Sequence, residues 1–287
     1  MRLQFILVVI LAALPAVAQL PGPNKAGVSA GHDVLRAKDV DAANKFWQAL
    51  GGEPVQFAGR LNLIKFPGVL LLEVGGGQGR GGQGAGTGKG QGAPNPAPSA
   101  PAPELAGSEG SSLDFIGFSV KDLKGSLTKW AEAEIKPLAG GSATQVYLMS
   151  PDRIKVRITE DKSLTTPIRA DVIEMVVPNV AEAQAWYAKY FGAEMVKRGG
   201  EMVADIPGSS ILFEQAKGSV APSKGRAFDR IGLEVVGLEA FAKKLEDAGI
   251  KFDSPYRKAN GMNAAFAVFQ DPFGTLIEMS EGLSAVK

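Results

Sequence analysis

Apolar and polar residues alternate through Leu113–Val120 (LDFIGFSV) and again through Phe228–Val235 (FDRIGLEV). Such alternation predicts a half-buried strand. Both stretches carry Asp, one variable residue, then Ile-Gly, and both end in Val. An amphipathic helix is predicted after each, over Leu123–Ala133 and Leu238–Ala248. Trp130 stands as far beyond Phe115 as Leu245 stands beyond Arg230, and Ile135 and Ile250 match in the same way. A second pair of segments has its own register. Gly31–Ala37 leads into a helix over Val40–Leu50, and Asp171–Val177 into a helix over Val180–Phe191. Phe46-Trp47 and Trp186-Tyr187 fall at matching places in these helices, and Gly52 and Gly192 at matching ends, where helix-stopping glycines belong. Pro67-Gly68 and Pro207-Gly208 then mark equivalent turns. The aromatic residues on these helices stand beside small residues and read as core.

The chain is therefore four strand–helix–strands units in the order A, B, A′, B′, a duplicated two-module domain. The last unit ends in Gln270–Met279 (QDPFGTLIEM), a Pro/Gly turn feeding a strand that carries Glu278 among apolar residues. Unit B ends in the corresponding SPDRIKVRI, which puts Arg157 at the Glu278 position. The first pair of units is longer than the second because of Gly75–Ser112. This stretch is Gly/Gln-rich, then alternates Pro with Ala and Ser, and predicts a flexible insert with little to bury.

Composition narrows the chemistry. With 31 basic and 30 acidic residues, nothing points to nucleic acid. The absence of Cys excludes disulfides, thiol catalysis and thiolate metal sites. No phosphate-binding loop, nucleophile elbow or H-E-x-x-H motif is present. Residues 1–18 have a basic start, an apolar run and Ala16-Val17-Ala18 before Gln19, the pattern of a cleaved signal peptide. The expected mature protein is exported, periplasmic or extracellular, with no membrane attachment after cleavage, and a monomer or homodimer.

The D-x-I-G-[FL]-x-V strands, the closing DPFGTLIEM and the ABA′B′ order resemble the vicinal oxygen chelate superfamily, which includes glyoxalase I, bleomycin-resistance proteins and extradiol dioxygenases. The resemblance implies an α+β fold. Paired βαβββ modules would form two tandem domains, at 27–160 and 168–283, each a curved mixed sheet around a cup. It also implies metal ligands on the first and last strands of each module. For units A and B these positions give His32 and Glu73, then Phe115 and Arg157. For A′ and B′ they give Val172, then Arg230 and Glu278. His32, the single His of the chain, and Glu73 are the candidate ligands for a divalent metal (Zn, Ni, Fe or Mn). An Arg cannot ligate a metal, so Arg230 is expected to pair with Glu278 instead. Arg230, Arg157, Phe115 and Val172 are candidate ligand-binding residues, and Glu278 the candidate catalytic group. Three functions fit: a small-molecule binding protein with an incomplete metal centre, a metal-dependent lyase, isomerase or dioxygenase, and an interaction module whose cups are filled.

Overall fold

A computed structural model describes residues 20–75 and 104–286. The proposed signal peptide lies outside the described residues. Module A comprises β1 (Val28–Ala37), α1 (Val40–Leu50), β2 (Glu53–Phe57), β3 (Leu61–Phe66) and β4 (Val69–Gly75). Module B comprises β5 (Leu113–Val120), α2 (Leu123–Ala131), β6 (Gln145–Met149) and β7 (Lys155–Glu160). Module A′ runs through β8 (Ile168–Val177), α3 (Val180–Phe191), β9 (Glu194–Arg198), β10 (Glu201–Ile206) and β11 (Ser209–Gln215). Module B′ runs through β12 (Phe228–Val235), α4 (Leu238–Asp247), β13 (Phe252–Lys258), β14 (Ala265–Gln270) and β15 (Leu276–Glu281). Module B lacks the strand that follows the helix in the other three. Pro137, Gly140 and Gly141 occupy that stretch, and such residues weaken a strand ladder.

Local chemistry sets the helix ends. Asp39 caps α1 by accepting from the N–H groups of Asp41 and Ala42, and Asn179 caps α3 by accepting from that of Glu182. Gly192 ends α3 in the left-handed region at φ 65°. Trp47, Trp130 and Tyr187 are buried, as their helical spacing predicts.

There are two mixed sheets. The eight-stranded one has the order β13-β14-β15-β12-β1-β4-β3-β2, and the seven-stranded one β6-β7-β5-β8-β11-β10-β9. Their central seams are β1 antiparallel to β12 and β5 antiparallel to β8. Module A therefore shares a sheet with B′, and B shares one with A′. The expectation that modules adjacent in sequence enclose a common cup is corrected. The period-two pattern of a strand is the same whichever module it pairs with, so the pattern did not distinguish these arrangements. The two modules within each half of the chain meet in a different way, through the helical layer. Trp47 of α1 packs on Phe118 of β5, and Phe191 of α3 on Phe269 of β14. Sheets cross between the halves while aromatic contacts join modules within them.

The insert also needs a correction at its end. Most of it lies outside the described residues, but 104–112 is ordered. Ser108, Ser111 and Ser112 are fully buried. The Ser108 hydroxyl bonds to the Asp114 carbonyl, the Ser112 N–H donates to the Ala221 carbonyl, and Leu105 packs on the core. Serines that spend their polar groups on buried backbone can be ordered without contributing large apolar surface. No helix among the described residues is long and apolar enough to cross a membrane.

Candidate functional site: two cups of different chemistry

The first cup is lined by the concave face of the eight-stranded sheet. His32 of β1 and Glu278 of β15, from opposite ends of the chain, meet there. Between them lies β12, in register through Gly232, which pairs with Glu278. A Cβ at Gly232 would stand 2.5 Å from His32 Nδ1 and 2.0 Å from the His32 carbonyl oxygen. The glycine of D-x-I-G thus makes room for the imidazole. A register shift between Ala30 and Asp33 sets Gly31 and His32 opposite Gly232, a bulge that turns the ring into the cup and Asp33 away from it. His32 Nε2 lies 2.9 Å from Glu278 Oε1. Because a carboxylate only accepts, Nε2 is the donor in this contact, and Nδ1 is buried without a hydrogen-bond partner among the described residues.

Arg230 Nη1 lies 3.2 Å from the other oxygen of Glu278, so the expected Arg230–Glu278 pair is present and His32 joins it. Burial pushes the Glu278 carboxyl upward. The hydrogen bond and charge of His32, with the charges of Arg230 and Arg257, outweigh burial and hold it below its ordinary 4.5. Asp33, on the other face, accepts from the Gly232 N–H, and its second oxygen has no partner among the described residues. Burial pushes its carboxyl up to about 7, against the charge of His32 and that bond.

Glu73 is not in this cup. On β4 the cup-facing positions are Leu70, which pairs with His32, and Leu72. Glu73 alternates to the helix side, where the Trp47 indole N–H donates to it at 2.6 Å. Burial raises its carboxyl to about 7, opposed by the Trp47 bond and reinforced by Asp152. The sequence reading placed Glu73 on the right strand but the wrong face.

These positions decide the metal question for the first cup. Its first and last strands supply His32, Leu70 or Leu72, Arg230 and Glu278. Two of these are donors, and both oxygens of Glu278 are already engaged. Arg230 would set fixed positive charge against a cation. No group of three or more His, Cys, Asp or Glu among the described residues could hold a metal ion. The residues present do not fit a divalent metal.

The second cup brings together the other sequence candidates. Val172 of β8 and Arg157 of β7 both lie opposite Gly117 of β5. Val172 takes the place that His32 has in the first cup, and a Cβ at Gly117 would meet its Cγ1 at 2.3 Å. Phe115, Val172, Val203 and Leu212 form the apolar floor, with Tyr147 packed against it. The Arg157 guanidinium lies over the Phe115 ring, 4.6 Å from its centroid. Arg157 has neither ion pair nor hydrogen bond among the described residues, and its Nε is buried without a partner. Lys155 sits beside it but is neutralised by Asp114. Burial raises the Glu174 carboxyl to about 8, reinforced by the hydrogen bond and charge of Asp114 and the charge of Glu214 and offset by Lys155. Tyr147, Lys155 and Glu174 were missed from sequence. The alternation of Lys155 with Arg157 in SPDRIKVRI was the available signal for one of them.

Residues 169–279 match the family model of the Glyoxalase/Bleomycin resistance protein/Dioxygenase superfamily. This stretch is a domain of that superfamily, and the whole chain has the two-domain vicinal oxygen chelate fold. Glyoxalase I from Zea mays superposes with a TM-score of 0.63 at 15% identity, covering 90% of this chain and 93% of that one. A point mutant of the same maize enzyme gives 0.65 at 13% identity, over 90% and 95%. A Bacillus subtilis protein provisionally assigned as a dioxygenase gives 0.60 at 13% identity, over 94% and 88%. No curated protein matches the sequence.

Proposed function

We propose that the protein, exported through residues 1–18, binds a small molecule in the second cup without a metal ion. One observation carries this reading: a guanidinium with no ion pair or hydrogen bond among the described residues, stacked on Phe115 at an apolar floor. Apolar walls with a small number of convergent polar groups are the usual make-up of a ligand pocket. Arg157 stands where the fold's resemblance would place a metal-ligating carboxylate, and an Arg grips carboxylates through paired N–H donors. Tyr147, half-buried and edge-on to Phe115, is the ring that an aromatic body would meet. The reading is therefore a receptor for a small aromatic acid. The first cup adds no metal chemistry, since Glu278 is already held by His32 and Arg230.

Titration calorimetry with naphthoate and with the uncharged naphthalenemethanol tests the proposal. Naphthoate should bind more tightly, and Arg157→Met should weaken it by about tenfold or more, the scale of a lost charge-assisted hydrogen bond. The alcohol should be little affected. Failure of naphthoate to bind, or equal binding to the variant, overturns the proposal.

A further inference from the structure

The first cup is packed against the C-terminal residues of the described structure. Its apolar lining, including Phe57, Leu63, Leu70 and Phe266, is continuous with Leu283 and Val286 of the final turn of the chain. Glu234 of β12 ties that turn down. Its Oε1 accepts from the N–H groups of Gly282 at 2.8 Å and Ser284 at 3.1 Å, and its Oε2 from the Ser280 hydroxyl at 2.7 Å. Gly282 has φ 105°, and a Cβ there would meet the Asn263 carbonyl oxygen at 2.2 Å. The turn is seated by polar bonds at its root and by two apolar side chains over the cup.

The same face of the sheet carries a lysine with no ion pair among the described residues. Lys65 of β3 pairs in register with Leu70 of β4, which pairs with His32 of β1. Paired residues share a face of the sheet, so Lys65 stands in the same rung as the imidazole, on the cup side. Only 5% of it is exposed. It makes no ion pair or hydrogen bond with any described residue. Glu53, opposite it on β2, is exposed and forms no ion pair with it. Glu278, in the same cup, is already held on both oxygens. Lysine is rarely this buried as a residue without an ion pair.

We infer that the first cup is a second ligand site, for a small carboxylate with an apolar tail. The carboxylate pairs with Lys65. The tail takes the space now filled by Leu283 and Val286, so the last turn of the chain is a displaceable cover. Glu234 keeps its bonds to Gly282 and Ser280 while the Ser284 N–H is released and the apolar tip leaves the cup.

Amide NMR on the full protein reads this site separately from the second cup. Octanoate and the uncharged octanol are the probes, and the amides of Ser284 and Val286 are the reporters. Octanoate should shift both amides in a saturable way, and octanol should bind more weakly by about tenfold or more. In Lys65→Met, the octanoate dissociation constant read at these amides should rise by a similar factor while that for octanol stays the same. In Leu283→Ser, with the cover loosened, octanoate should bind more tightly than to wild type. The inference is overturned if octanoate leaves Ser284 and Val286 unmoved, if octanol binds as tightly, or if Lys65→Met does not alter the constant. Shifts confined to Tyr147 and Phe115 would overturn it while leaving the proposal for the second cup standing.

Discussion

His32 and Glu278, separated by 246 residues, are joined by a buried contact of 2.9 Å across Gly232. The contact exists only because module A shares a sheet with module B′. Each half of the chain therefore supplies half of both sheets. Residues 19–163 and 164–287, produced separately, should each self-associate through the open edges of β1 and β5, or of β8 and β12. Mixed, they should form a one-to-one complex with the melting behaviour of the intact chain. Two halves that each run as folded monomers on size exclusion would show that the crossed sheets do not form.

Removing one partner from a buried charged group costs more than removing both. His32→Leu should destabilise the protein by about 2–3 kcal/mol, because Glu278 keeps its charge and loses its closest donor. Adding Glu278→Leu should recover a large part of that loss. Chemical denaturation of the wild type, the two single variants and the double variant measures the coupling. Simple additivity would show that the contact contributes nothing of its own.

The two motif glycines should respond differently to alanine. At Gly117 the nearest obstacle is the Val172 side chain, at 2.3 Å. At Gly232 it is the backbone oxygen of His32, at 2.0 Å. Each Gly→Ala change should destabilise by about 1–3 kcal/mol, the usual cost of overpacking. Val172→Ala should rescue Gly117→Ala, whereas His32→Ala should not rescue Gly232→Ala. Equal rescue at both sites, measured by thermal melting, would refute the close backbone approach in the first cup.

Glu73 gives a pH signature. Burial holds its folded carboxyl near 7, above the ordinary 4.5, even with the Trp47 indole bonded to it. Below the unfolded value, both states are protonated and the group costs nothing. As pH rises from there through the folded value, the unfolded chain ionises first and stability falls. Glu73→Gln should therefore gain on the wild type between about pH 4.5 and 7, by on the order of 1–3 kcal/mol, and level off above. Denaturant midpoints measured at several pH values check this. A pH-independent difference would mean that Glu73 titrates normally.

Much of this was legible in the sequence. The helices Val40–Leu50 and Val180–Phe191 and the strands Leu113–Val120 and Phe228–Val235 fall at their expected boundaries, because capping residues, glycines and alternation mark them locally. The pairing of Arg230 with Glu278 followed from the repeat register. What was hidden is long-range. Periodicity along β1 and β12 gives each strand a buried face but does not name its partner, so His32 was assigned to Glu73 instead of Glu278. Glu73 itself was misplaced by a single residue of alternation relative to Leu72. The isolation of Lys65 and Arg157 is likewise invisible in sequence, since it depends on which charges the folded sheet leaves out of reach.

The claim at the centre is that Glu278 is held by His32 and Arg230 and leaves no position for a metal. Thermal melting of the metal-stripped protein with Zn²⁺, Ni²⁺, Fe²⁺ or Mn²⁺ tests it most directly. A ligand that does not bind the native state cannot stabilise it, so none of these ions should raise the melting temperature. A rise of several degrees with one of them, abolished by Glu278→Ala, would contradict the claim.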